Sequence, residues 1–251
     1  MTKITETLQF AKELIIKPEC FFLNLKENKI NWIFPLSIYL IYMLLNSLFL
    51  NYKPLDFPNE LAALNIMNPT FLFYFTVQFF WGTFFSLVFA VLSVFLIKFY
   101  ILKLPLALFS CLLSVVAGAY ILKNCDNSLI QYTLLLLFLV LSIFIVKKNK
   151  NNFIFLLKAT FSVNLIAFLF LPILFFSVFL KSENLFLVSE AIMVIWLLIL
   201  FVKTIKTISN ISVLKIILIF GFSATGAFGV FYLLSKINLL SDNTFKVFLS
   251  M

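Results

Sequence analysis

Long stretches of this chain carry almost no charge, and that feature decides what it can become. Seven apolar runs stand out, at about 31–50, 70–97, 104–122, 129–146, 153–180, 187–202 and 212–235. A hydrocarbon core of roughly 30 Å takes about 20 helical residues, so each run is long enough, or nearly so, to cross a bilayer. The 16-residue sixth run is expected to borrow a turn from "KTIKT", with lysine stems reaching toward the headgroups. Lipid gives backbone N–H and C=O groups no partners, so a spanning segment is a helix or part of a closed barrel. Barrel strands alternate polar and apolar residues, and these runs are apolar on every side. The chain is 63% hydrophobic and 12% charged, against about 25% charged in soluble domains. The reading is an all-α, polytopic transmembrane helix bundle of about seven spans, with five or six as alternatives.

The lysines set the expected orientation. All 19 cations are Lys, with no Arg and no His. With residues 1–29 inside, fourteen lysines fall on cytoplasmic pieces. Lys53, Lys123, Lys181, Lys236 and Lys246 are left outside. That alternation fits seven crossings with the N-terminus cytoplasmic and the C-terminus outside. Fusing segments three and four through the short "KNCDNS" link gives five crossings and the same orientation. Trp32, Tyr52, Tyr100, Tyr120, Tyr132 and Tyr232 lie near expected segment ends, where amphipathic rings favour the headgroup layer. The first apolar run is a full span and lacks a small-x-small cleavage site, so it is expected to act as an uncleaved anchor. The domain reading is a lead-in at 1–29, a helical bundle at 30–236 and a short tail at 237–251.

Reactive groups are few. Without His the usual general base, metal ligand and pH switch are missing. Without Arg there is no bidentate fork for phosphate or nucleic acid. Cys20, Cys111 and Cys125 form no CxxC pair, so no zinc site is expected. No nucleophile–base pair, metalloprotease motif or Gly-rich phosphate loop is visible. The expectation is a non-enzyme with no catalytic residue, no cofactor and no metal.

Polar groups at membrane depth are expensive and often functional. The candidates are Asn46, Gln78, Asn164 and Glu190, weighed against plain interhelical hydrogen bonding worth about 0.6 kcal/mol each. The last run contains "GFSATGAFG". Its Gly221, Thr225, Gly226 and Gly229 read as a helix-packing surface, because small residues let helices approach closely. In the loop "NYKPLDFPNELAALNIMNP", Asn59 is placed to cap a short helix carrying Leu61, Leu64 and Met67.

Residues 3–16, "KITETLQFAKELII", put Ile4, Leu8, Ala11 and Ile15 on one helical stripe. Pro18 suits the first turn of a second helix. Phe21, Phe22 and Leu25 then share its apolar side. Two short amphipathic helices lying on the membrane surface are expected. Pro18, Phe21, Phe22 and Trp32 would act as interfacial anchors.

Lys17, Pro18, Glu19, Phe21, Phe22, Trp32 and Pro35 together resemble the opening of the bacterial Yip1-domain membrane proteins. The likeness continues at Phe153, Leu156 and Pro172, and again at Trp196, Ser209 and Ser212. The Asp-Leu-Tyr/Trp-Gly-Pro signature of the eukaryotic trafficking members is absent. The resemblance implies a multi-pass, non-enzymatic protein of the bacterial cytoplasmic membrane. Its role would be that of a scaffold or accessory subunit. Its partners would be the lipid bilayer and another membrane protein or further copies of itself, with no nucleic acid. The alternative, from another class, is a small permease or substrate-binding membrane subunit of a transporter. It is motivated by the intramembrane polar groups and the Pro172 helix break.

Overall fold

Apolar runs of this length close all their backbone hydrogen bonds locally, and the computed structural model is accordingly all-helical. It describes residues 3–54, 57–58, 70–99 and 128–249. The expected third span at 104–122, Cys111, Cys125, the "KNCDNS" link and the Asn59 helix lie outside the described residues.

Two short helices come first, α1 at Lys3–Ile16 and α2 at Pro18–Lys26. The first long helix, α3, runs over Ile33–Tyr52. The next, α4, begins at Phe71–Thr76, passes through a π-helical turn at Val77–Gly82 and continues over Thr83–Phe99. Four helices follow: α5 at Ser128–Lys148, α6 at Lys150–Phe179, α7 at Glu183–Ile208 and α8 at Val213–Lys236. A short α9 occupies Asp242–Leu249. Six of these helices are long and apolar enough to cross a membrane. The sixth apolar run does extend through "KTIKT" into α7. Residues 237–251, expected as a plain tail, contain α9. Its Ser241 caps the Thr244 N–H at 3.1 Å, and its Val247 is fully buried.

The lead-in helices are built into the protein. Pro18 opens α2, and the Glu13 carboxylate accepts from Asn24 at 3.0 Å, folding α2 back on α1. Phe21 and Phe22 are 0% exposed. They belong to the largest core cluster, with Phe34 of α3, Phe155 of α6 and Ile205 of α7. These anchors therefore pack on protein. Trp32 does too, edge-on to Phe161 at 6.5 Å, while Pro18 is half-buried. On α1 the buried stripe is centred on Leu14, with Phe10, Ala11 and Ile15 beside it, and Leu8 points outward at 65% exposure.

Polar contacts fasten the same interface. The Lys26 ammonium donates to the Thr207 carbonyl at 2.6 Å. That carbonyl is among the last four of α7, which have no intrahelical partner and carry the negative end of the dipole. Lys203 of α7 pairs with Glu19 of α2. Lys158, buried in α6, donates to the Ile30 carbonyl at 3.1 Å and lies over the Trp32 ring.

The Lys203 ammonium, through its hydrogen bond and its charge, holds the Glu19 carboxyl below the ordinary value of 4.5, with a smaller contribution from Lys206. A lowered folded-state pKa means the pair's contribution is complete above about 4.5 and is lost as pH falls through the folded value. A fluorophore on Cys20, which is exposed on the same helix, is expected to give a constant signal from neutral pH down to about 4.5. Its signal changes only below that, in a variant with Cys111 and Cys125 replaced. Glu19→Gln is expected to abolish the acid transition.

α8 lies against α4. Ser93 donates to Ser223 at 3.0 Å, both 0% exposed. Ala227 and Phe231 are also 0% exposed, and Phe231 sits among Trp81, Phe84 and Phe85. Of the four residues expected to pack this helix, only Gly226 makes the close approach. A Cβ there would meet the Leu92 Cδ1 at 2.9 Å. At Gly221 and Gly229 it would meet no described atom within 4 Å, and Thr225 is exposed. A double-mutant cycle on Ser93→Ala and Ser223→Ala, read from unfolding in bilayers, is expected to return a coupling of about 0.6 kcal/mol.

Candidate functional site

Three of the spanning helices, α3, α6 and α7, leave a cleft at the face opposite the lead-in. Its polar wall comes from spacing along α3. Tyr42, Asn46 and Lys53 are four and then seven residues apart, which brings them close to one line at 3.6 residues per turn. Glu190 faces them from α7, two turns below that helix's start at Glu183. The Glu183 start is fixed by Ser182, which caps the Leu185 N–H. The remaining walls are apolar, with Phe49 and Phe186 on one side and Leu171 and Leu174 of α6 on the other. The cavity is 30 Å³, room for about two water molecules.

The charges in this cleft are arranged in an uncommon way. The Lys53 ammonium rests over the Phe186 ring, 5.7 Å from its centroid. Burial pushes its pKa down from the ordinary lysine value, and the charge of Glu190 opposes that shift. The two groups do not close into an ion pair; among the described residues the ion pairs are Lys29–Glu27 and Lys203–Glu19. An ammonium and a carboxylate thus line one small cavity and feel each other without touching. Phe186 stacks on Phe49 with centroids 6.4 Å apart and meets Phe57 edge-on at 5.4 Å.

The structure brings two of the four intramembrane polar candidates together here, Asn46 and Glu190. Asn164 is elsewhere, and its amide donates within its own helix to the Thr160 carbonyl at 2.9 Å and the Phe161 carbonyl at 3.3 Å. Gln78 is in the π-helical turn of α4. It is 4% exposed, with no hydrogen-bond partner for its Nε2 among the described residues. It does not line the cleft. In that turn, Gly82 lets the Tyr39 hydroxyl come within 3.3 Å of where a Cβ would stand. Pro172 withholds an N–H from the Phe168 carbonyl and lies exposed on the outside of α6, while its neighbour Leu171 lines the cleft.

Tyr42 and Lys53 were not singled out from sequence, although their spacing to Asn46 was there to be read. Among the described residues no group of three or more His, Cys, Asp or Glu is placed to hold a metal ion. Comparison with protein-family models, with curated proteins and with solved structures returns no match to this chain.

Proposed function

We propose that this chain is a non-enzymatic, Yip1-like multi-pass protein of a bacterial cytoplasmic membrane, acting as a scaffold or accessory subunit. The observation that carries this reading is the docked lead-in. Its helices are held across the ends of α6 and α7 by Phe21, Phe22, Lys26 and the Glu19–Lys203 pair. That makes a fixed platform, with Leu8 and Leu23 still turned outward. A platform of this kind presents a surface to a partner, whereas a loose surface anchor would not.

The same reading takes the lead-in face as cytoplasmic and the number of crossings as seven. The directions of the described helices support it. Val94 and Ile97, near the end of α4, pack in the cluster that holds the lead-in. Leu135, in the first half of α5, packs in the cluster that holds Leu234 and Ile237 at the far end of α8, while Ile145, near the end of α5, packs against the lead-in cluster. Enzyme reporters that are active on only one side, fused after Ile30, Lys53, Lys98, Ser128 and residue 251, are expected to read inside, outside, inside, outside and outside, as seven crossings require. The same side for Lys98 and Ser128 would sink this topology.

The functional test is purification from native membranes in mild detergent, with the unaltered chain and a Leu8→Ser/Leu23→Ser variant in parallel. A stoichiometric membrane partner, lost in the variant, is the expected result. A solitary chain that moves a solute unaided in liposomes would overturn the proposal. The second reading, a small permease or substrate-binding subunit, is favoured by one observation: Asn46 and Glu190 meet in a single cleft with Lys53.

A further inference from the structure

From the α3–α6–α7 cleft we infer a binding site for a small zwitterion, a free α-amino acid of glycine or alanine size. The inference deepens the second reading above and rests on it only in taking the cleft as a ligand site.

The argument is charge complementarity. The cleft holds one carboxylate and one ammonium that do not pair with each other. Among the described residues no side chain donates to Glu190. A lone cation drawn to Glu190 meets repulsion from Lys53, and a lone anion drawn to Lys53 meets repulsion from Glu190. A ligand that carries both charges satisfies both groups at once. Buried polar groups that find such partners discriminate strongly against analogues lacking one of them.

Depth fixes the orientation. Lys53 stands at the end of α3, while Asn46 is seven residues, roughly 10 Å, further in along the helix. Glu190 is likewise two turns below the start of α7. The ligand carboxylate therefore faces Lys53 at the mouth. Its ammonium points inward to Glu190 and the Asn46 side-chain oxygen. Size sets the upper limit. The 30 Å³ cavity, about two waters in size, takes the ligand's ammonium and α-carbon and leaves its carboxylate at the open mouth, so no long side chain fits beside them, and the Leu171 and Leu174 walls offer a polar side chain no partner.

The test is ligand-dependent thermal stability of the purified full chain in nanodiscs. The probes are glycine, L-alanine, ethylammonium and propionate. The last two are alanine without its carboxylate and without its ammonium. Saturable stabilisation by glycine or alanine is expected, with ethylammonium and propionate weaker by roughly tenfold or more. Lys53→Met and Glu190→Gln are each expected to weaken amino-acid binding by at least about tenfold. The proposal is overturned if ethylammonium binds as well as alanine and Lys53→Met leaves it unweakened, which would mean a simple cation site. It is equally overturned if no probe stabilises the folded, unaltered chain. The four-probe comparison uses the unaltered protein, so it decides the matter even where a variant does not fold. Binding is read without any transport step, so loss of transport in liposomes and loss of this site are separate results.

Discussion

Phe22→Ala is expected to release the lead-in from the bundle. Phe22 is 0% exposed and packs edge-on against Phe21 at 5.4 Å, inside the cluster shared by α2, α3, α6 and α7. Truncating a buried Phe to Ala costs about 3–5 kcal/mol through lost contacts and the cavity left behind. The spans are held within the bilayer by their own packing, so the loss falls on the seat of α1 and α2, which Phe22 shares with Phe21, Leu25 and the Lys26 and Glu19 contacts. Limited trypsin digestion of the protein in nanodiscs should show it. Cleavage after Lys12 and Lys26, slow in the unaltered chain, is expected to accelerate by orders of magnitude, while cleavage after Lys147 and Lys148 is unchanged. Phe80→Ala is the control, since that ring is 63% exposed. Equal resistance of Phe22→Ala and the unaltered chain would show that the lead-in is held by something other than this pair of rings.

Gly226→Leu is expected to separate α8 from α4, while Gly221→Leu is expected to leave them in place. At position 226 the first added carbon already meets Leu92 Cδ1 at 2.9 Å. A single methyl is accommodated because Leu92 is flexible at that atom, so Gly226→Ala is a mild change. An isobutyl group has nowhere to go, and overpacking of this kind costs about 1–3 kcal/mol. It also pries at the Ser93–Ser223 hydrogen bond three residues away on α8. Gly221 has no described atom within 4 Å of its added carbon. Leu there gains the roughly 0.8–1 kcal/mol of helix propensity that Gly lacks. Resistance to unfolding in bilayers should fall for Gly226→Leu and hold or rise for Gly221→Leu. The reverse order would place the packing surface of α8 on its other side.

These two residues also show how far the sequence could be read. Long apolar runs mark helices because length and hydropathy are local properties, and all six described spans are visible that way. Which face of a helix meets which neighbour is not local. "GFSATGAFG" carries small residues all round the helix, so spacing alone could not separate Gly226 from Gly221 and Gly229. Phe21 and Phe22 announce an apolar face, but an amphipathic helix looks the same whether it is destined for lipid or for protein. The Leu14-centred stripe of α1 differs by one position from the Leu8 stripe for the same reason, since both fall near one side of a short helix. In the cleft, the Tyr42–Asn46–Lys53 line is a property of α3 alone and was legible. Its meeting with Glu190 depends on α3 and α7 coming together across more than a hundred residues, and no local pattern encodes that. The π-helical turn around Gln78 has no sequence mark at all.

The docked lead-in has a consequence for how the protein is made. Lys26 and the Thr207 carbonyl it reaches are 181 positions apart, and Glu19 and Lys203 are 184 apart. At synthesis rates of roughly 5–20 residues per second, α2 waits on the order of ten to forty seconds for its seat to be translated. Throughout that interval Phe21, Phe22 and Leu25 lack the α7 part of the surface that covers them. The nearest apolar phase is the bilayer surface. The lipid-seeking character written into residues 17–26 thus belongs to the nascent chain, and the arrival of α7 ends it.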